Sequence, residues 1–379
     1  MDSQKPFPGE KLCLVSWIDQ NDLHDKKLAD SITFNAIIED LSKKGYSCSY
    51  FYDGEFGKIK LFMNLFWEFK NKKKSPNSSI RQHPLLSNIF SMFITFYSLI
   101  SFAFKTDVKK KLGTFDTIIV AGPSLLAPIY RVFKRDKYLV LYELNIESEL
   151  FISNILGKKT FIVKLVYGLI KKIESWAINL SNMIMTISPR DCNVLKALVP
   201  TKEIMNYYPF YKREISFTAR RPLNLIDNKR KTEVTIDDSL TVIGFIGSCS
   251  IVNCRALSQI VSIVKGVNSK YLAFLISGNL SDCFCAGNMP NSMIFTGFLE
   301  NLDILMPLCD AYILFDVQST GIEVKIQSYK LYKKPVLVIS SFPSPNYQQF
   351  LGDQMINLKS SEEAIRFIRE MIGKKSSAI

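Results

Sequence analysis

The sequence predicts an α/β protein built from two doubly wound parallel sheets. Its 379 residues, 47% of them hydrophobic, are enough for two cores at about 150 residues per domain. Short apolar segments alternate with amphipathic helical patterns in both halves, and this alternation requires parallel strands joined by crossover helices. A break at Pro209 predicts an N-terminal domain over 1–209 and a C-terminal domain over 210–379.

The first half opens with a β-α-β pattern. KLCLVSWI at 11–18 predicts a strand, the apolar spacing of 30–43 predicts a helix that Gly45 ends, and 46–52 predicts a second strand. Ser188 and the proline after it predict the start of a later helix by capping. Further short strands are predicted at 117–121, 138–142 and 183–187.

The second half repeats this alternation after a charged stretch, 211–238, that is typical of a linker or irregular structure and sets the linker at about 210–239. Strands are predicted at 240–247, 271–277, 293–295, 311–315 and 336–339, and helices at 253–267, at 302–308, from about Lys325 and at 362–372. Parallel strands end at one edge of a sheet, and ligands bind there. We therefore expect a shared rim formed by Gly247, Gly278, Gly297 and Gly321.

Lys325 is expected to contribute a positive charge to this rim. It lies at the start of a helix that follows the apolar strand 311–315 and the pair Thr320-Gly321. Glycine lets the backbone approach a ligand, and a helix start offers unpaired amides to an anion. A lysine about 4 Å from a phosphate oxygen adds about 4 kcal/mol at an effective dielectric of about 20. The pattern favours a reaction with a leaving phosphate; the alternative is a solvated lysine on an ordinary helix.

Composition narrows the class of protein. The eight cysteines show no C-x-x-C spacing and only two histidines accompany them, which disfavours a zinc site or a disulfide framework. The first ten residues show no secretory signal, so we expect a cytoplasmic protein.

A basic, apolar insert over about 57–111 supplies much of the net charge of +13. It combines bulky apolar and aromatic side chains with the lysine runs 72–74 and 109–111. The apolar run 85–104 is interrupted by Ser, Thr and Asn, which favours a helix at the surface of an anionic membrane over a spanning one. The alternatives are helices of the N-terminal domain with solvated lysines and, less favoured, a nucleic-acid surface.

The order of several short motifs resembles the donor-binding half of family 4 glycosyltransferases, which have the GT-B fold. Weaker resemblances in the first half are Tyr142-Glu143-Leu144-Asn145 and Glu174. The motifs of the second half are Gly244-Phe-Ile-Gly247-Ser248, Asn253, Ser277-Gly278-Asn279, Phe295-Thr296-Gly297-Phe298, Thr320-Gly321-Ile322-x-x-Lys325 and Lys334-Pro335-Val336.

This resemblance implies two Rossmann-like domains facing a cleft, with a UDP- or GDP-sugar on the C-terminal domain and the acceptor on the N-terminal one. It implies a retaining reaction without metal or other cofactor, and the sequence has no Asp-x-Asp motif. Lys325 would hold the departing diphosphate and Asn145, where the family often has histidine, would lie near the transferred sugar. The donor would be bound by Gly247, Ser248, Gly278, Asn279, Thr296, Gly297, Phe298, Thr320, Gly321, Ile322 and Ser328.

The expected function is a retaining glycosyltransferase that moves a sugar to a glycan or lipid-linked acceptor in surface polysaccharide or glycoconjugate synthesis. Nucleic acid is not an expected partner. Ser328 stands where the family usually has a glutamate that binds ribose, and with Asn145 it favours the alternative of a non-catalytic accessory subunit that binds nucleotide or glycan. An epimerase would need acid and base carboxylates that the sequence does not place. An inverting enzyme could use an acid of the loop 19–25 as base, although such acids more often cap a helix.

Overall fold

A computed structural model shows two compact units, one reaching residue 212 and one made of most of the chain from residue 213. It describes residues 6–16, 29–51, 106–133, 136–143, 146–149, 161–208, 221–247, 251–278, 280, 289–299, 302–315, 325–340 and 345–377. The insert at 57–111 therefore lies outside the described residues up to 105. Across the described ranges, every helix is too short or too polar to cross a membrane.

The first unit contains a six-stranded parallel sheet with the order β2-β1-β3-β4-β5-β6. Its strands are β1 (Lys11–Val15), β2 (Ser47–Phe51), β3 (Thr117–Ala121), β4 (Tyr138–Glu143), β5 (Met183–Thr186) and β6 (Glu203–Asn206). Its helices are α1 (Ala29–Lys43), α2 (Thr106–Leu112), α3 (Pro123–Phe133), α4 (Phe161–Leu180) and α5 (Pro189–Leu198). The chain winds outward in both directions from β1, as predicted.

The second unit repeats the arrangement with the order β11-β10-β9-β12-β13-β14. Its strands are β9 (Thr241–Ile246), β10 (Leu272–Ser277), β11 (Met293–Gly297), β12 (Ala311–Phe315), β13 (Val336–Ile339) and β14 (Met355–Leu358), and a separate hairpin holds β7 (Leu223–Asp227) and β8 (Thr232–Ile236). Its helices are α6 (Ile251–Val267), α7 (Lys325–Leu331), α8 (Pro345–Leu351) and α9 (Ser361–Ser376). The direction of winding reverses between β9 and β12, the point at which doubly wound sheets bind ligands.

The predicted cores and caps are confirmed. Strand β12 is buried along its whole length, as a parallel strand covered on both faces requires. Gly45 adopts a φ of +84° after α1, a conformation that suits glycine. Ser188 caps α5, because its hydroxyl accepts a hydrogen bond from the Asp191 amide at 3.2 Å.

Two predictions of local structure were wrong. The stretch 211–238 was expected to be a linker or irregular, yet it contains the antiparallel hairpin β7–β8. Its turn is held by the Asp227 carboxylate, which accepts from the amides of Lys229 and Arg230 at 2.9 and 3.1 Å. The helix expected at 302–308 is two 3-10 turns, Leu302–Ile304 and Met306–Leu308, because Pro307 has no amide to donate.

Lys333 adopts a left-handed backbone conformation. Its φ is +52°, two residues after α7 ends. A side chain in this conformation costs about 1 to 2 kcal/mol.

Candidate functional site

Three glycines of the second unit lie side by side at the carboxyl edge of its sheet. Gly247 follows β9, Gly278 follows β10 and Gly297 ends β11. The Gly247 amide donates to the Ser277 carbonyl at 2.9 Å, and the Gly278 amide donates to the Gly297 carbonyl at 2.8 Å. The structure therefore joins three of the four rim glycines through backbone contacts.

Gly278 sits where no other residue fits. Its φ is +101°, and a Cβ built on it would lie 2.2 Å from the Gly247 carbonyl oxygen. Gly247 is also enclosed, since its own Cβ would lie 3.3 Å from Cγ of Asn253 and 2.9 Å from the Phe245 ring. At both positions the protein's own atoms fill the space that a side chain would take, so packing requires glycine there.

Lys325 of α7 lies near the same edge. Its Nζ lies 3.3 Å from Oδ1 of Asn253, and 4.3 Å from the centre of the Phe245 ring, in cation-π range. The side chain is half-buried. Asn253 is an amide, so its hydrogen bond orients the lysine without cancelling its positive charge. Lys325 thus contacts Asn253 and Phe245, two residues that also lie against Gly247.

Tyr329, one helical turn after Lys325, fixes α7 against the sheet. Its hydroxyl accepts a hydrogen bond from the Ile246 amide at 3.2 Å, and its ring stacks on Tyr312 with centres 4.5 Å apart. Tyr329 was not predicted from the sequence, although its i+4 spacing from Lys325 was a usable signal. Ser328 is half-buried on the same short helix, three positions after Lys325.

At the end of β11, a ligand could contact backbone groups and the ring of Phe298. Thr296 is buried, and its hydroxyl donates to the Ile276 carbonyl at 3.4 Å, so this side chain packs inside the sheet. Gly297 has a φ of +70°. Phe298 is 52% exposed, which leaves its ring accessible.

The unexpected hairpin holds this end of β11. Asn228, in its turn, donates from its amide to the Phe295 carbonyl at 2.7 Å and from Nδ2 to the Thr296 carbonyl. The Arg230 guanidinium donates to the carbonyls of Met293 and Pro290 at 2.6 and 2.8 Å. Residues 228–231 fall in the stretch 211–238 that was predicted to be a linker or irregular, and their run of charges gave no signal of this role.

Six of the site residues expected from the resemblance lie outside the described residues, and their placement stays a prediction. They are Asn145, Ser248, Asn279, Thr320, Gly321 and Ile322. Among the parts of the chain that the structure does describe, no group of three or more His, Cys, Asp or Glu side chains could hold a metal ion. The expectation of a reaction without metal stays a prediction as well.

The carboxyl edge of the first unit contains buried carboxyl groups. Glu143 ends β4, is fully buried, and its two oxygens have no hydrogen-bond partner among the described residues. Burial raises the pKa of Glu143 well above its usual range, and the charges of Glu174, Glu147 and Asp191 raise it further. Glu174 differs, because its carboxylate accepts from the Ser148 hydroxyl at 2.6 Å and from the amides of Glu147 and Ser148.

We expect Glu143→Gln to be more stable than the wild type at high pH. A raised pKa in the folded state means that the folded protein keeps its proton longer than the unfolded chain, so stability falls as pH rises towards the folded pKa. The glutamine variant should match the wild type near about pH 5 and melt at a higher temperature near about pH 8. Thermal unfolding at both pH values measures this.

Glu174→Gln is a comparison variant. Burial also raises the pKa of Glu174, so glutamine should remove part of the loss of stability at high pH. Because glutamine turns a donor towards backbone amides, this variant should in addition lose about 1 to 3 kcal/mol at both pH values. If Glu143→Gln shows the same pH dependence as the wild type, the buried carboxyl is not the source of it.

Comparisons with known proteins identify the fold. No protein-family model matches the chain, and no curated protein matches it. A sucrose-phosphate synthase from Thermosynechococcus elongatus is similar in structure, with a TM-score of 0.60 at 9% identity over 97% of this chain and 91% of that one. The glycotransferase of kitacinnamycin is similar with a TM-score of 0.51 at 11% identity, over 98% of this chain and 92% of that one. TarM also matches, with a TM-score of 0.47 at 13% identity, over 69% of this chain and about half (48%) of its own length.

The fold is thus of the α/β class and of the GT-B type, with two Rossmann-like units that each contain a six-stranded parallel sheet. Glycosyltransferases are among the structural neighbours, and at these identities they establish the fold alone.

Proposed function

We propose that the protein is a retaining glycosyltransferase that uses a nucleotide-diphosphate sugar. The observation that carries the proposal is the amine of Lys325, oriented by Asn253 and Phe245 beside the backbone of Gly247. Among the described residues, this edge combines backbone groups with the positive charge of Lys325, which suits a diphosphate. The fold supports the proposal, since it is shared with solved glycosyltransferases.

The chemistry needs positioning and charge more than a strong base. The bond between the anomeric carbon and the diphosphate oxygen breaks, and a bond from that carbon to the acceptor hydroxyl forms on the same face. The released diphosphate oxygen takes the acceptor proton. Lys325 would stabilise the charge that develops on the diphosphate, and a preorganised cation acts most strongly at this stage.

The proposal also specifies the donor, the acceptor and the location of the enzyme. The donor is a UDP- or GDP-hexose, with its base at Gly297 and Phe298 and its ribose near Ser328. The acceptor is a glycan or a lipid-linked sugar of surface polysaccharide or glycoconjugate synthesis. The enzyme is cytoplasmic and associates peripherally with an anionic membrane.

A non-catalytic subunit that binds nucleotide or glycan is the second candidate. Ser328 favours it, because a hydroxyl at this position binds ribose less well than two carboxylate oxygens.

Thermal shift with UDP, GDP, ADP and their sugars tests the donor site. One nucleoside diphosphate at about 100 times its dissociation constant should stabilise the protein by about 2.7 kcal/mol. The matching nucleoside without phosphates is the control and should give a much smaller shift. If none of the diphosphates stabilises the protein, the donor assignment is wrong. Release of nucleoside diphosphate on mixing with donor and membranes then separates the enzyme from the accessory subunit, which binds without release.

A further inference from the structure

Helix α4 of the first unit exposes large apolar side chains along one line. Leu165 is 63% exposed, Leu169 38% and Trp176 50%. At about 100° per residue, these three side chains fall within about 40° of one another around the helix axis. The stripe therefore runs along about three turns of one helix face.

The residues on the opposite side of α4 pack against the rest of the first unit. Val163, Val166, Ala177 and Ile178 are buried, and α4 packs against α3. The exposed stripe is thus separate from the buried face of α4.

Lysines flank the stripe without exposed acids on the helix. Lys164, Lys171 and Lys172 are exposed, whereas Glu174, the one acidic residue of α4, is buried on the packed side. The exposed side of the helix therefore presents three positive charges beside three apolar side chains.

We propose that this surface, the α4 face (Leu165, Leu169, Trp176 with Lys164, Lys171 and Lys172), docks on an anionic lipid surface. Leucine and tryptophan enter the boundary between headgroups and acyl chains, and the lysines contact anionic headgroups. Each lysine near such a surface strengthens binding about five-fold. The inference assigns a surface to the peripheral membrane association proposed above, and it does not depend on glycosyl transfer.

A second copy of the chain is the competing occupant of the α4 face. In a two-fold symmetric pair, the same patch faces itself, so the three lysines of one copy would approach those of the other. An anionic membrane has the complementary charge, and we therefore infer that lipid is the occupant of the α4 face.

Vesicle sedimentation of the full chain tests the proposal, with phosphatidylcholine vesicles that contain or lack phosphatidylglycerol. The wild type should bind the anionic vesicles and release as salt screens the lysines. Leu165→Ser with Trp176→Ser should bind at least about ten-fold more weakly, since both apolar anchors are lost. Lys171→Glu with Lys172→Glu should bind at least about 25-fold more weakly, at about five-fold for each lysine.

The controls lie in the second unit. Ile226→Ser removes a side chain with the same 63% exposure as Leu165, and Lys265→Glu reverses an exposed lysine of α6. Both should bind vesicles like the wild type. Because the substituted side chains are exposed, circular dichroism spectra and melting temperatures should stay unchanged in all four variants.

Three outcomes would overturn the proposal: a wild type that ignores anionic vesicles, α4-face variants that bind as the wild type does, or a dimer that the α4-face variants convert to monomers. Nucleotide thermal shifts on the same samples keep the two proposals apart. If the donor-site proposal is wrong, no variant shows a nucleotide-induced thermal shift. If only the lipid proposal is wrong, the thermal shift remains.

Discussion

Lys325→Ala should lower turnover by about one to three orders of magnitude, the scale of losing one preorganised charge-stabilising donor. The amine lies beside Asn253 and the Gly247 backbone, where a departing diphosphate would gain charge. Because that charge is largest in the transition state, kcat should fall more than KM rises. Steady-state release of nucleoside diphosphate, measured against donor concentration, gives both constants.

Lys330→Ala is the matched control for this loss. Lys330 is an exposed lysine in the last turn of the same helix, so its removal changes the net charge equally without touching the glycine edge. Its turnover should stay within about two-fold of the wild type. Lys325→Arg should recover part of the activity, since it restores the charge with a different shape. Near-wild-type turnover in Lys325→Ala would contradict the proposed role.

Gly278→Ala should destabilise the protein by about 2 to 5 kcal/mol and abolish nucleotide binding. A side chain at a φ of +101° costs about 1 to 2 kcal/mol. The new Cβ would also lie 2.2 Å from the Gly247 carbonyl oxygen, and forcing such a contact apart costs about 1 to 3 kcal/mol more. Moving the Gly247 backbone displaces the neighbour of Lys325. Urea unfolding measures the free energy, and thermal shift with the best nucleotide measures the binding.

Gly122→Ala separates the two costs. Gly122, at the end of β3 in the first unit, has a φ of +86° and nothing within 4 Å of an added Cβ. It should lose about 1 to 2 kcal/mol from backbone conformation alone and keep nucleotide binding. Equal destabilisation of the two variants would show that the contact between Gly278 and Gly247 is not tight.

The regular elements of both sheets were largely predictable. Strands β3, β12 and β13 have the predicted bounds, since buried parallel strands are short continuous apolar runs with sharp ends. Edge strands β6 and β14 were not predicted, because strands at an edge are only partly buried and their apolar pattern is weaker. Helix α8 was missed as well, and its seven residues are too few for a helical period to stand out.

The candidate site divides in a similar way. Lys325 and the glycines at the ends of β9, β10 and β11 were named from the sequence, because an apolar strand that ends in glycine is a local pattern. Asn228 and Tyr329 were missed, since each acts through a contact with a strand distant in sequence.

The sequence by itself determined which segments become strands and helices, which strand ends carry glycine, and that a lysine opens α7, because these properties depend on neighbours within a few positions. Only the tertiary structure decided that Gly278 must lie against the Gly247 carbonyl, that Asn253 and Phe245 orient the lysine, and that a charged hairpin turn holds the end of β11. The physical reason is that hydrogen bonds and close packing act over a few ångströms in space, while their partners lie tens of residues apart along the chain.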